Sequence, residues 1–470
     1  MERLTAVREE QKLKRQLNAF DLTLLGIGSI IGTGIFVLSG IGAAHYAGPA
    51  VVLSFIAAGV VCGLVALLYA ELTALVPASG SIYTFSYLTL GEAAAWIMAW
   101  NLLLEYTVAA SATAVGWSGY AVGILQSLGI QIPESLTKAP ADGGIVNLPA
   151  IAISLGLTLM LVIGTKTSAR ANAVLVAIKL GAIFLFLGMA APHVDTSLWV
   201  PYMPFGVAGV WAGAAIVFFA FLGFDALATA TEEAKNAQRN MPIAIMASFG
   251  VCALLYLAVS ATLTGVVSYK SLDTPEPLSF ALRALGYQWG SALVATGALA
   301  GLTTVLLMTI YGQTRIYFVM ARDKLLPDGL AKVHPRFHTP HVITWVAGFT
   351  IAAMAGFINI EVLAELANIG TLFAFIFASL GVMILRRTQP DVPRSFACPW
   401  IWIIGPAAIL GCLYLMSNLP LQTWIRFGVW TVVGLLFYAV YGYHKSPFNA
   451  RQSKAERPEI PLAARVSEGD

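Results

Sequence analysis

Charge is scarce in this chain. Asp, Glu, Lys and Arg make up 11% of its 470 residues, against about a quarter in an ordinary soluble domain. Cysteine is scarcer still: Cys62, Cys252, Cys398 and Cys412 show no paired spacing, so neither a disulfide framework nor a thiolate metal site is expected. Six histidines are present, none of them paired as metal ligands inside an apolar segment, and His334, His338 and His341 share one polar loop. An integral-membrane enzyme built on a metal is therefore disfavoured. No loop is long enough to hold a soluble domain. Met1 to Phe20 is charged and amphipathic, without the apolar core and small-residue cleavage site of a signal peptide. The first apolar segment is expected to act as the insertion signal instead.

What the chain does have is apolar length. Hydrophobic residues are 58% of it, and twelve segments lie at or near the roughly 20 residues that cross ~30 Å of hydrocarbon. They run over 21–44, 49–77, 93–125, 148–165, 172–191, 207–231, 242–267, 289–321, 342–357, 361–385, 400–417 and 424–443. The fold expected is an all-α polytopic membrane protein. Among the 27 Lys and Arg residues, Lys138, Lys270, Arg283 and Arg426 alone fall in outer loops if the N-terminus is cytoplasmic, and Lys179 lies within a span. The others collect on the cytoplasmic side, which places both termini there. The net charge of +3 thus reports orientation, not a nucleic-acid partner.

Two spans carry interruptions. In the first, Gly26 to Phe36 packs five glycine or small positions where a helix should be continuous, and Gly32-Thr33-Gly34 reads as the break. In the sixth, Phe218 to Asp225 sets Gly223 and a carboxylate in apolar surroundings. An unpaired backbone group in hydrocarbon costs several kcal/mol, so such breaks are tolerated where they line a cavity. Close helix packing is the bland alternative. Breaks five spans apart are what an inverted repeat would produce. A half-helix starting near Thr33 offers free N–H groups to a carboxylate, and one ending near Phe219 to Leu222 offers carbonyls to an ammonium. The two poles together suit an α-amino acid.

Buried charges mark the same region. Lys179 sits in an otherwise uncharged span, where an isolated ammonium costs about 2.5–3.5 kcal/mol on insertion scales. It is either a functional proton carrier, standing where a sodium ion would bridge the first and eighth spans, or a side chain snorkelling to the cytosol. Glu105 and Asp225 are candidate gates, proton relays or substrate contacts, or else acids hydrogen-bonded between helices. Phe219 and Phe221 flank the second break as a candidate lid or as core. Met308 is expected to wall the side-chain compartment if Thr303 and Thr304 face Lys179 and the first span.

The broken first span, the run from Ala70-Glu71-Leu72 through Pro77, Gly80, Tyr83 and Gly91-Glu92, the Phe221 to Asp225 break and the stretch Arg315 to Pro327 occur in one order. In that order the chain resembles the amino acid-polyamine-organocation superfamily from Leu17 to Tyr443. Asn101 to Glu105 and Lys179 are similar to those of a bacterial cationic amino acid transporter. The resemblance implies a leucine-transporter-like core of five plus five helices in inverted repeat, with two further C-terminal helices and breaks in helices 1 and 6. The expected division is a cytosolic segment 1–20, repeats 21–191 and 207–385, a helix pair 400–443 and a cytosolic tail 444–470. It also implies that Thr33 and Gly34 hold the substrate carboxylate, and that the carbonyls of Ile30, Phe219 and Leu222, with Ala220 adjacent, hold the ammonium. Lys179 takes the place of sodium, so proton symport by alternating access is implied, with no cofactor beyond the proton.

The substrate expected is a small neutral L-amino acid such as alanine, with arginine or lysine open if Glu105 or Asp225 reaches the pocket. A sodium-independent exchanger of amino acids or polyamines is the alternative, and a nutrient sensor or channel a more distant one. The expected setting is the plasma membrane of a bacterium, with lipid as a partner. Whether a single-span accessory protein exists is left open.

Overall fold

The computed structural model describes residues 17–75, 91–164, 169–322, 325–337 and 339–442. Residues 1–16 of the N-terminal segment, Pro77, Gly80 and Tyr83, Lys324, His338 and the tail 444–470 lie outside the described residues.

The first helix begins where the sequence supplies a capping box. Asn18 Oδ1 accepts from the amides of Phe20 and Asp21, and Asp21 Oδ2 accepts in return from Asn18 N. The helix α1 (Ala19–Ile30) follows, then, after a break, a helical run over 34–47 that is largely π-helical. Next come α2 (Val51–Leu75), α3 (Glu92–Ser127), α4 (Leu148–Ile163), α5 (Ala169–Ala190) and α6 (Gly206–Val217). After a second break the chain continues through α7 (Ala237–Val266), the short α8 (Pro277–Ala284), α9 (Gln288–Arg322), α10 (His341–Phe357), α11 (Ile360–Thr388), α12 (Ile401–Ser417) and α13 (Leu421–Phe437). Outside the helices, the backbone pairing of strand type among the described residues is one isolated bridge, Leu17 to Ala234.

Seven of the described helical runs are long and apolar enough to cross a membrane. Helices α3 and α9, of 36 and 35 residues, exceed the hydrocarbon thickness and must tilt or project, since each residue advances about 1.5 Å. By contrast α4, at 16 residues, is shorter than the roughly 20 residues a perpendicular crossing needs.

Packing between helices relies on large rings and missing side chains. Trp96, Trp100 and Trp430 stack between α3 and α13, and the Trp96 and Trp100 indoles donate to the carbonyls of Gly434 and Trp430. At one end of the bundle the buried Glu71 of α2 accepts two bonds from Arg386 of α11, at 2.7 and 2.9 Å, and one from the amide of Cys398. This fork-to-fork contact pins the 389–400 segment to α2. All four cysteines are buried and free.

Candidate functional site

Where α1 stops, Ile31 turns extended (φ −73°, ψ 105°) and Gly32 bends, while Thr33 is already helical at φ −55°, ψ −31°. The break therefore lies at Ile31-Gly32, just before the Gly32-Thr33-Gly34 position read from sequence. Gly34 serves a different purpose: a Cβ there would run into the backbone of Ala220. It lets the second half of the first span touch the sixth.

The second interruption follows the same logic. After α6 a 3-10 turn, Phe218–Phe221, leads to extended Leu222 (ψ 144°) and Gly223 at φ +114°. A side chain at that φ is strained, and a Cβ on Gly223 would stand 2.6 Å from the Ser29 carbonyl oxygen. The two breaks thus cross at Gly34 with Ala220 and at Gly223 with Ser29, and Ser29 Oγ donates to the Gly223 carbonyl at 2.9 Å.

Backbone groups freed by the breaks have identifiable partners. Lys179 of α5 is fully buried, and its Nζ donates to the carbonyls of Gly28 (2.7 Å) and Ile31 (3.1 Å) at the end of α1. This is an inward contact with the first span rather than snorkelling. A neighbour from the eighth span is Gly301: a Cβ there would meet the Lys179 stem at 3.2 Å. Thr303 accepts from the Trp117 indole, and Thr304 donates to the Gly301 carbonyl.

Thr33 is buried beside Gly116 of α3, and its hydroxyl has no hydrogen-bond partner. An unmatched buried hydroxyl costs about 1–3 kcal/mol, and it stands at the N-terminal end of a half-helix, where free amides gather. Of the carbonyls expected to face an ammonium, Ile30 accepts from Tyr256 Oη (3.1 Å) and Phe219 from the amide of Leu222 (3.2 Å). Each retains a second lone pair. Tyr256 also donates to Ala220 (2.8 Å). Nothing in the sequence marks this tyrosine among the other aromatics, and the same holds for Asn368, whose amide donates to the carbonyls of Ala215 and Ile216 near the end of α6.

The remaining candidates divide. Met308 is partly exposed, on the α9 face shared with Gly301, Val305 and Gly312, which meet Lys179, Gly32 and Tyr106 respectively. Phe221 is buried in an aromatic group with Phe55, Phe249 and Tyr256, as the core alternative has it. Phe219 is buried at the break. Asp225 is buried and accepts from the Gly223 amide, closing its own turn. Glu105 is buried on α3, beside Thr371 and within electrostatic reach of Asp225.

Broken apolar helices crossing at glycines, inside a bundle of membrane-length helices, define a membrane transport protein. A model of the amino acid permease family matches residues 17–464, and the chain belongs to that family, within the amino acid-polyamine-organocation superfamily. It is 47% identical over 451 residues to the branched-chain amino acid permease BcaP of Bacillus subtilis, covering 95% of this chain and 97% of that one. It is 46% identical to the methylthioribose transporter of the same organism, over 96% and 98% of the two chains. It is also 38% identical to mouse cationic amino acid transporter 4, over 85% of this chain and 64% of that one. These relatives are permeases and transporters, and the chain is not an enzyme.

Proposed function

We propose that the chain is a proton-coupled symporter of neutral L-amino acids that works by alternating access. The observation that carries this reading is the Lys179 ammonium held on the Gly28 and Ile31 carbonyls. A cation at the end of the inner half of α1 ties that half to α5, and losing its proton weakens the tie to that of a neutral amine. The substrate carboxylate goes to the amides of Thr33 and Gly34 and to the Thr33 hydroxyl. The ammonium goes to the carbonyls of Ile30, Phe219 and Leu222, beside Ala220, with Met308 along the side chain. Glu105 and Asp225 lie on the inner side as gate or relay groups.

The architecture proposed is twelve spans: repeats 21–191 and 207–385, related by inversion, followed by the pair 400–443, with both termini cytoplasmic in the cell membrane. A parallel between the repeats supports it. Lys179 in the fifth span and Asn368 in the tenth each donate to carbonyls at the end of the first half of a broken helix.

The substrate reading draws on two features. The Met308 thioether proposed along the side chain carries no charge to pair with a cationic substrate, and a relative of high identity is named for branched-chain amino acids. The relative named for methylthioribose makes that neutral sugar a necessary competitor in any test. Purified protein in proteoliposomes should accumulate tritiated L-alanine or L-leucine under an inward proton gradient without sodium. Counterflow without gradient-driven accumulation would establish the exchanger instead. Competition by methylthioribose but by no amino acid would overturn the zwitterion site.

A further inference from the structure

Tyr256 is a side chain that bonds to both broken helices. It lies on α7, fully buried, its ring fixed edge-on or tilted against Phe55 (5.7 Å) and Phe221 (5.3 Å). This packing leaves the phenol oxygen one direction. It points between the breaks and donates to Ile30 O of the first and Ala220 O of the second. One hydroxyl proton serves both carbonyls, as a shared or alternating bond.

A carrier that performs net transport must reorient once per cycle without substrate. In that step the carbonyls that received the ammonium lack their donor, and bare carbonyls in a low-dielectric site oppose closure around them. We propose that Tyr256 is a positioning residue for this unloaded step, its hydroxyl standing in for the substrate ammonium and holding the two breaks in register. In the loaded step the phenol becomes dispensable, because the ammonium brings three N–H groups of its own to the carbonyls. The inference rests on the site assignment proposed above and goes beyond it by separating the two reorientation steps.

The test compares net uptake with homoexchange in proteoliposomes, using tritiated L-alanine and L-leucine. Net uptake requires the unloaded return, whereas exchange with the same unlabelled amino acid inside bypasses it. In Tyr256→Phe, net uptake should fall about tenfold, the loss expected for carbonyls left unsatisfied. Exchange should stay within about twofold of the native rate, and the KM for exchange should not rise. Phe55→Leu, which loosens the ring packing but leaves the hydroxyl, should reduce both fluxes by the same factor. Equal loss of both fluxes in Tyr256→Phe, including complete loss, would overturn the proposal and make the tyrosine structural. So would native net uptake. Failure of the native protein to move either amino acid would defeat the zwitterion reading itself, a different result.

Discussion

Replacing Lys179 tests the coupling with little interference from folding. Its Nζ makes two charge-assisted hydrogen bonds, at 2.7 and 3.1 Å, each worth about 1.5–3 kcal/mol. Against that sum of about 3–6 kcal/mol stands the cost of keeping an isolated ammonium in the membrane interior, about 2.5–3.5 kcal/mol on insertion scales. The net contribution to stability is then a few kcal/mol at most, within the ~5–15 kcal/mol margin of a folded protein. Lys179→Ala adds a cavity under Gly301, so Lys179→Met, which keeps the stem, separates charge from packing. Both variants should remain monodisperse and lose gradient-driven accumulation in proteoliposomes. Lys179→Met should retain some counterflow, because the crossing at Gly34 and Gly223 is unchanged. If it still concentrates amino acid in proportion to the imposed proton gradient, the lysine does not carry the coupling.

Other consequences follow from the same geometry. Gly34→Ala drives a methyl group into the Ala220 backbone, where neither element can yield cheaply; transport should vanish and thermal stability fall by about 1–3 kcal/mol, and native uptake would show that the breaks are not in contact. Met308→Ser should widen acceptance toward longer side chains; an unchanged competition profile, with arginine among the competitors, would place Met308 outside the compartment. At the opposite end from Glu71, in the last turn of the helical run over 34–47 and just beyond the span 21–44, His45 contacts Glu361 at 2.6 Å and Asp273 at 3.2 Å. Burial alone would lower its pKa, but the hydrogen bond to Glu361 and the charges of Asp273 and Glu361 outweigh it, and the net shift is upward. This tie is therefore at full strength below the ordinary histidine value of about 6.5 and is lost as pH rises through the raised one. Hydrogen exchange around Asp273 should quicken above that window in the native protein and be insensitive to pH there, after correction for intrinsic rates, in His45→Gln; the same profile in both would refute the latch.

How much was legible depended on what a one-dimensional pattern can encode. Both interruptions were, because glycine, threonine and a carboxylate in a run of apolar residues have few other physical reasons to be there. Lys179 was legible for the same reason. Tyr256 and Asn368 were not, since a tyrosine or asparagine in a membrane helix is unremarkable until the groups opposite it are known. Gly116, Gly301 and Gly34 are contact points whose purpose lies in a partner distant in sequence, Thr33, Lys179 and Ala220 respectively, more than a hundred residues away for the last two. The rotation of α9 is marked by Gly301 against Lys179 and Gly312 against Tyr106, contacts that the apolar pattern of α9 itself does not encode.

The accounting of freed backbone groups also shows that the two poles of the crossing are unequal. At the carbonyl pole, Gly28 and Ile31 are held by Lys179, Ile30 and Ala220 by Tyr256, Gly223 by Ser29, and Ala215 and Ile216 by Asn368. An arriving ammonium has to share Ile30 and Phe219 with donors they already have, so much of its binding energy is a difference between two satisfied states. At the amide pole, the buried Thr33 hydroxyl has no partner, and a carboxylate there gains bonds without displacing any. Selectivity for the carboxylate should accordingly exceed selectivity for the amine, since removing the acid leaves the donor unmatched, whereas removing the amine leaves carbonyls that other side chains continue to serve.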